Sequence, residues 1–412
     1  MSEKRGFDEV AREALITLLE NFWILREHDP EAYQIIRDRE NALKDYVLDK
    51  LGYHLIVHRH FAKLEKIPAV PEAWMGIEHF QHPRDYAILC CVLAYLESIT
   101  GYEQFLLSDL CSEVQALYPG ELALDWRNYE HRKSLIRVLQ FVTELKMLTV
   151  VDGELGTFGK HESSEVLYEV SVVSRYFMRS YPKDFFQFNS KEDILAAETF
   201  EGEDELLGAR RRYRIYRQLL LSPSMYRSNS EDADFLYLRN YRARLQEDIE
   251  RHTGLQLELY RNTALLIAPE PKTVLTLFPN QKGISDIALQ FGSILREQLN
   301  EGQCQADALG RVALTPLQFE QTVRHCKELY SYGWSKEFRE GLIKHTADEL
   351  LAFLLDWTFA QPSAEGDLIY FQPALGRLTG DYPQDYRSKQ PGRADGDDGD
   401  GIREDKNSCD GS

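Results

Sequence analysis

The stretch KLGYHLIVHRHFAKLEKIP, residues 50–68, sets His54, His58 and His60 in a segment that alternates like a β-hairpin. A zinc site and a structural hairpin both read this way. The decision comes from a second copy inside the chain. Residues 36–68 can be laid on residues 238–269 at a single offset, so that Arg37 meets Arg239, Leu43 meets Leu245, Val47 meets Ile249 and Gly52 meets Gly254. Leu55 and Val57 then meet Leu257 and Leu259. One residue is dropped in the turn, after which Pro68 meets Pro269. This is the repeat of one supersecondary unit.

Each copy reads as a long amphipathic helix, a glycine suited to the left-handed position after a helix, two strands of period-two alternation, and a proline. Tyr53, Leu55 and Val57 are expected to face a core, leaving His54 and His58 on the wetter face. The second copy puts Gln256 and Tyr260 where the first has His54 and His58. The unit therefore forms without imidazoles, and no Asp, Glu or Cys stands nearby at ligand spacing. The expectation is an exposed strand face, with no metal and no cofactor.

Downstream of the first hairpin the pattern predicts an apolar helix over Tyr86–Thr100, an extended piece at Phe105–Leu107, a helix capped by Ser108, and a longer helix from about Asn128. The last buries Leu135, Val138, Leu139, Val142 and Leu145 at helical spacing and runs into two strands within 147–170 around a Gly-rich polar turn. Three helices and a two-stranded wing is the order of a winged helix, a relative of the helix-turn-helix. The C-terminal half repeats it more loosely: helices over Ile284–Leu299, from Thr315-Pro316, and from Lys336 to Trp357, then Thr358-FAQ and Gly366-DLIYFQP as wing strands. Leu350, Phe353, Leu354 and Trp357 match Leu135, Val138, Leu139 and Val142 in spacing.

The fold class expected is mainly α with small antiparallel β-hairpins (α+β), as tandem winged-helix modules in two duplicated halves that divide near residue 200. The segments are an N-terminal helix (1–28), a helix-plus-hairpin unit (29–70), a winged helix (84–175), a linker (176–204), the repeated helix-plus-hairpin unit (205–270), a second winged helix (284–375) and a disordered acidic tail (381–412).

Composition bounds the rest. A chain of 412 residues, 43% hydrophobic and 28% charged, has material for several cores. The longest apolar run, within 86–96, is too short to cross a bilayer. The N-terminus mixes both charge signs and lacks a signal-like apolar stretch, so a cytoplasmic protein is expected. Six cysteines without a CxxC pair offer neither a disulfide framework nor a cysteine-based zinc site. Cys90, Cys91 and Cys111 read as core thiols. A formal net charge of −19 argues against strong autonomous binding to nucleic acid, which rests on phosphate neutralisation. Part of that acidity sits in residues 381–412, with nine Asp/Glu against five Lys/Arg.

No P-loop, GxSxG or HExxH motif occurs, and the expectation is a protein that is not an enzyme. Basic residues are more informative. Arg132, Lys133 and Arg137 lie off the buried stripe of the helix after Asn128, with Arg127 and His131 beside its start. In a winged helix this element can enter a major groove, although Asp125, Glu130 and Glu144 share the neighbourhood. A denser cluster lies in ARRRYRIYRQ, residues 209–218, where Arg210, Arg214 and Arg217 share one helical face and Tyr213, Tyr216 and Leu220 another. Two readings stand: an edge contacting phosphate or a partner, or charge pairing with Glu201, Glu203, Asp204 and Glu205.

Four stretches carry a resemblance: residues 26–53, 84–97, 139–153 with 167–170, and 236–255. In these the chain resembles the B subunit of the Wadjet anti-plasmid systems, a member of the KITE class that accompanies condensin-like complexes. The resemblance spans roughly residues 7–380. It implies a similarity to the MukE protein of the MukBEF condensin: tandem winged helices, a homodimer, and binding to a kleisin subunit. It further implies that the subunit helps hold double-stranded DNA against an SMC-type ATPase during loop extrusion, with plasmid cutting left to a toprim-type nuclease subunit. Association with nucleoid or plasmid in the cytoplasm follows from the same resemblance. The helix-and-hairpin units at 30–68 and 231–269 are extra material relative to a two-module KITE protein. A stand-alone winged-helix transcription regulator is the alternative, and a metal-dependent nuclease lacks ligands in the sequence.

Overall fold

The computed structural model describes residues 7–119, 123–160, 165–179, 187–190, 193–194, 204–270 and 274–383. It is mainly helical, with four small antiparallel sheets of three strands each. Most of the expected linker and nearly all of the expected tail lie outside the described residues.

One element order occurs four times. The first module runs helix Glu9–Glu20, strand Ile24–Leu25, helices Pro30–Asp38 and Glu40–Leu51, then strands Leu55–Val57 and Phe61–Leu64. The second runs Pro83–Ser98, strand Gln104–Leu106, Leu107–Leu117, Tyr129–Glu144, then strands Leu148–Asp152 and Leu167–Val170. The third runs Asp204–Leu221, strand Met225–Tyr226, Ala233–Asn240, Arg242–Thr253, then strands Gln256–Leu259 and Thr263–Ile267. The fourth runs Gly283–Asn300, strand Val312–Leu314, Pro316–Tyr330, the short Lys336–Glu340, Ile343–Asp356, then strands Ala360–Pro362 and Ile369–Phe371. In every sheet the last strand is central, flanked by the short first strand and the other wing strand. This is the winged-helix topology.

The helix-plus-hairpin units at 29–70 and 205–270 are therefore parts of complete modules. Each gains a strand, because Ile24 and Leu25 pair with Ala62 and Phe61, and Met225 and Tyr226 with Ala264 and Thr263. The long helix read at 36–51 is two helices broken at Arg39, and its counterpart breaks at Tyr241, the equivalent position. Arg39 leaves the helix and sets its guanidinium on the Asp8 carboxylate at 2.8–3.1 Å, where Asp8 also caps the first helix through the Ala11 N–H. A uniform amphipathic pattern hides such a break, since both helices turn apolar faces to one core.

Smaller differences have local causes. Ser108 lies in the first turn of its helix, whose opening is set by Asp109 accepting the Leu106 N–H. Residues 155–160 in the wing turn are helical. The helix read from Lys336 to Trp357 breaks at Gly341, where any Cβ would stand 2.4 Å from the Glu337 carbonyl oxygen. Thr315 caps its helix as expected, in a reciprocal box with Gln318. Cys91 and Cys111 are buried, but Cys90 faces out because its neighbour Cys91 takes the inward position of the same turn.

Each third helix ends in a left-handed residue: Gly52, Lys146, Gly254 and Thr358, at φ +62°, +59°, +75° and +54°. Glycine adopts this conformation freely, whereas lysine and threonine pay roughly 1 kcal/mol for it.

The chain forms two compact units, Met1–Leu277 and Phe278–Ser412, instead of dividing near residue 200. The reason is a shared core. Leu15, Leu43, Val47 and Leu55 of the first module pack in one cluster with Ile215, Leu219, Leu245 and Ile249 of the third. The first helix of each lies against the third helix of the other. At the crossing Tyr46 and Asp248, equivalent positions of the repeat, come within 3.5 Å. The arrangement is reciprocal, like a homodimer written into one chain. The second module has its own core around Val92, Leu110, Leu135 and Tyr168, into which Trp23 and Phe61 of the first module reach. The unit Phe278–Ser412 is built on Phe291, Phe319 and Phe371, whose ring centroids lie 5.0–5.5 Å apart, and on the buried bond from Trp334 Nε1 to Gln290 Oε1 at 2.7 Å.

Candidate nucleic-acid interface

The helix Tyr129–Glu144 holds the third-helix position of the second module, and its arginines turn inward. Arg137 is buried and grips the Asp85 carboxylate through Nε and Nη2, both at 2.9 Å, with Ser134 Oγ at 3.1 Å from Nη2. Burial alone would raise the Asp85 pKa. Arg137, Ser134 and the N–H groups of Gln81 and His82 outweigh it and hold the carboxyl below its ordinary value. Arg132 is also buried, donating to the carbonyls of Trp126 and Arg127 at 2.6 and 3.0 Å, so it secures the loop leading into the helix. His131 Nδ1 accepts the Asp125 N–H at 3.0 Å, and its pKa is lowered by burial and by Arg84. Lys133 sits 4.5 Å over the Tyr129 ring and 3.6 Å from Glu130, while the exposed Arg127 pairs with Asp125. Of the five candidates here Arg132 and Arg137 are thus buried, half-buried His131 holds the loop before the helix, and Arg127 and Lys133 share a mixed, charged face.

The cluster at 209–218 is dispersed in the same way. Arg214 makes a bidentate pair with Asp234 at 2.8 Å, joined by Arg211 at 3.3 Å, and Arg212 reaches Asp49 at 2.9 Å. Arg217 donates to the Leu51 carbonyl at 2.7 Å and lies 4.7 Å over the Tyr53 ring, capping the third helix of the first module. In the reciprocal contact Arg12 donates to the Arg251 carbonyl at 3.2 Å. The Nε and Nη2 atoms of Arg210 are buried, with no hydrogen-bond partner among the described residues. Among the described residues the carboxylates that neutralise this cluster are Asp234 and Asp49; the side chains of Glu201, Glu203, Asp204 and Glu205 lie outside the described residues.

These contacts determine which surfaces a polyanion can meet. The third helices of the first and third modules, the elements that would enter a major groove, are each packed on one side against the other module. Asp248 joins them, accepting from Tyr216 Oη at 2.6 Å and pairing with Lys50 at 3.2 Å. Arg59 and Arg261 occupy equivalent positions at the two wing turns and are both exposed. Neither appeared among the sequence-based candidates. The offset that aligns Gly52 with Gly254 also aligns these two arginines, and that was the signal available.

Of the three histidines, His54 is exposed, while the rings of His58 and His60 are half-buried, 5.4 Å apart. Burial, His60 and Arg59 lower the His58 pKa. Among the described residues one group of metal-capable side chains converges elsewhere, Glu337, His345 and Glu349. It is largely exposed, and His345 already faces Glu349 at 3.3 Å.

Fold and surface together define a mainly helical α+β protein of repeated winged-helix modules, two of them fused into an internal dimer with an arginine at each wing tip. The chain belongs to the protein family of unknown function DUF2398, whose model matches residues 15–381. Neither a curated protein nor a solved structure matches it. No helix among the described residues is long and apolar enough to cross a membrane.

Proposed function

We propose that this chain is a non-catalytic, KITE-type scaffold subunit of a condensin-like complex of the Wadjet kind, one that binds a kleisin and helps clamp double-stranded DNA during loop extrusion and plasmid restriction. One observation carries the reading over a stand-alone regulator: the third helices of the first and third modules are spent on an intramolecular contact. A regulator working alone would present such helices to an operator from a two-fold dimer. This chain instead keeps the reciprocal arrangement inside itself and leaves Arg59 and Arg261 exposed at the wing turns. The acidic balance agrees, because a protein acting alone on DNA must supply its own positive field. ATP hydrolysis and cutting then belong to partner subunits.

The test is co-expression with neighbouring kleisin-like and SMC-like subunits, followed by affinity purification and mass determination. A stoichiometric assembly that binds duplex DNA more tightly than the isolated chain is the expected result. Elution alone, with tight binding to one operator sequence, overturns the proposal in favour of a transcription regulator.

A further inference from the structure

A cleft of about 500 Å³ separates the wing of the first module from the second module. Its walls bring together Arg26, His28, Arg59, His60 and Lys146, against the single carboxylate of Glu27. Elsewhere in this acidic chain arginines are neutralised in pairs, as Arg39 with Asp8, Arg137 with Asp85, Arg214 with Asp234 and Arg311 with Asp307. No ion pair holds Arg26, Arg59 or Lys146 among the described residues. With Glu27 the one carboxylate on the wall, the three cations leave the cleft with an excess of positive charge, whose self-repulsion a bound anion would reduce.

Backbone strain marks the same place. Among the described residues three non-glycine positions have positive φ, namely Tyr102, Lys146 and Thr358, and the first two line this cleft. Lys146 stands where the first and third modules place glycine. A lysine held there at a conformational cost, on the wall of the cleft, fits a residue that serves a ligand. His60 Nε2 is buried there with no hydrogen-bond partner among the described residues, and Thr149 and Ser171 also line the cleft. Tyr102, 63% exposed, offers an aromatic face at the rim.

We infer that this cleft binds a phosphate ester of nucleotide size, with Arg59 and Lys146 on the phosphate oxygens, Arg26 supporting them, and Tyr102 against the base. Cations plus neutral donors suit a tetrahedral polyoxyanion, and the volume lies in the range of small-molecule sites while exceeding a lone phosphate. The phosphate can come from a free nucleotide or from a nucleic-acid backbone. The inference rests on the cleft alone and not on membership of any assembly.

The test is calorimetric titration of the full chain with adenosine monophosphate, inorganic phosphate and a mixed-sequence duplex of 20 base pairs. The variants are Arg59→Ala, Lys146→Gly and, as a control outside the cleft, His54→Ala. Lys146→Gly relieves the left-handed backbone, so its melting temperature should equal or exceed that of the wild type, and lost binding cannot be ascribed to misfolding. Each cleft variant should weaken binding about tenfold or more, and His54→Ala should not. Binding of adenosine monophosphate with this variant pattern assigns a free nucleotide. Binding of the duplex alone, with the same pattern, assigns a nucleic-acid backbone. If no probe binds, or if affinity is indifferent to Arg59 and Lys146, the inference is wrong even where co-purification with partner subunits succeeds.

Discussion

Arg137→Met separates the two roles that the helix Tyr129–Glu144 invites. In the structure it leaves the Asp85 carboxylate, 0% exposed, with only the N–H groups of Gln81 and His82, at 2.8 and 3.2 Å, and Ser134 beside it. Stranding a buried charge in this way costs about 3–5 kcal/mol. At roughly 2–4 °C per kcal/mol for a domain of this order of size, melting should fall by on the order of 10 °C. Adding Asp85→Asn removes the charge while keeping a side-chain acceptor at the helix start, so the double variant should recover to within about 2 kcal/mol of the wild type. Urea unfolding followed by tryptophan fluorescence gives the free energies, and duplex titration at 10 °C, where all variants remain folded, gives the affinity. If Arg137→Met unfolds like the wild type and yet loses duplex affinity, the guanidinium meets phosphate and the placement argued above is wrong.

Other expectations follow from the same contacts. The Asp85 carboxyl is held below its ordinary pKa, so its contribution to stability is complete above the unfolded value near pH 4 and is lost as pH falls through the folded one. Wild type should therefore lose more stability than Asp85→Asn/Arg137→Met between about pH 4 and pH 2, as read by urea midpoints. Asp248→Ala, at the joint of the first and third modules, removes the acceptor of the Tyr216 hydroxyl and one of the two carboxylates on Lys50, which keeps Asp49 at 3.3 Å, and should cost about 1–3 kcal/mol. Faster hydrogen exchange in both Glu40–Leu51 and Asp204–Leu221 would show that the joint has loosened, whereas exchange confined to one helix would deny the reciprocal contact. Replacing Arg59 and Arg261 together with Glu should lower duplex affinity and reduce the salt slope by about 2, while Arg214→Glu, which confronts Asp234, should lower stability and leave that slope unchanged. Equal slopes for all of these variants would remove the wings from the interface.

How much of this was legible beforehand depended on whether a feature is periodic. The glycines at 52 and 254, the cap at Thr315, the buried stripe from Leu135 to Val142 and the repeat at offset 202 all leave a pattern along the chain, because helix and strand spacing impose one. The mainly helical α+β class followed from those patterns. The breaks at Arg39 and Tyr241 leave none, since helices on both sides face one core, and the strands at 24–25 and 225–226 are two residues long, too short to alternate.

The candidate site diverged for a related reason. A guanidinium is drawn to whichever carboxylate tertiary packing brings near, and Asp85 lies 52 residues from Arg137, while Leu51 lies 166 from Arg217. The sequence alone determined the repeated unit, the helical periodicity and the acidic balance, because these depend on neighbours within a turn or two and on totals. Only the tertiary structure decided that the first and third modules share a core, which arginines are held in pairs, and that Arg26, Arg59 and Lys146, without an ion pair among the described residues, line one cleft between two modules. Those outcomes depend on contacts between elements far apart in the chain, and no local spacing records them.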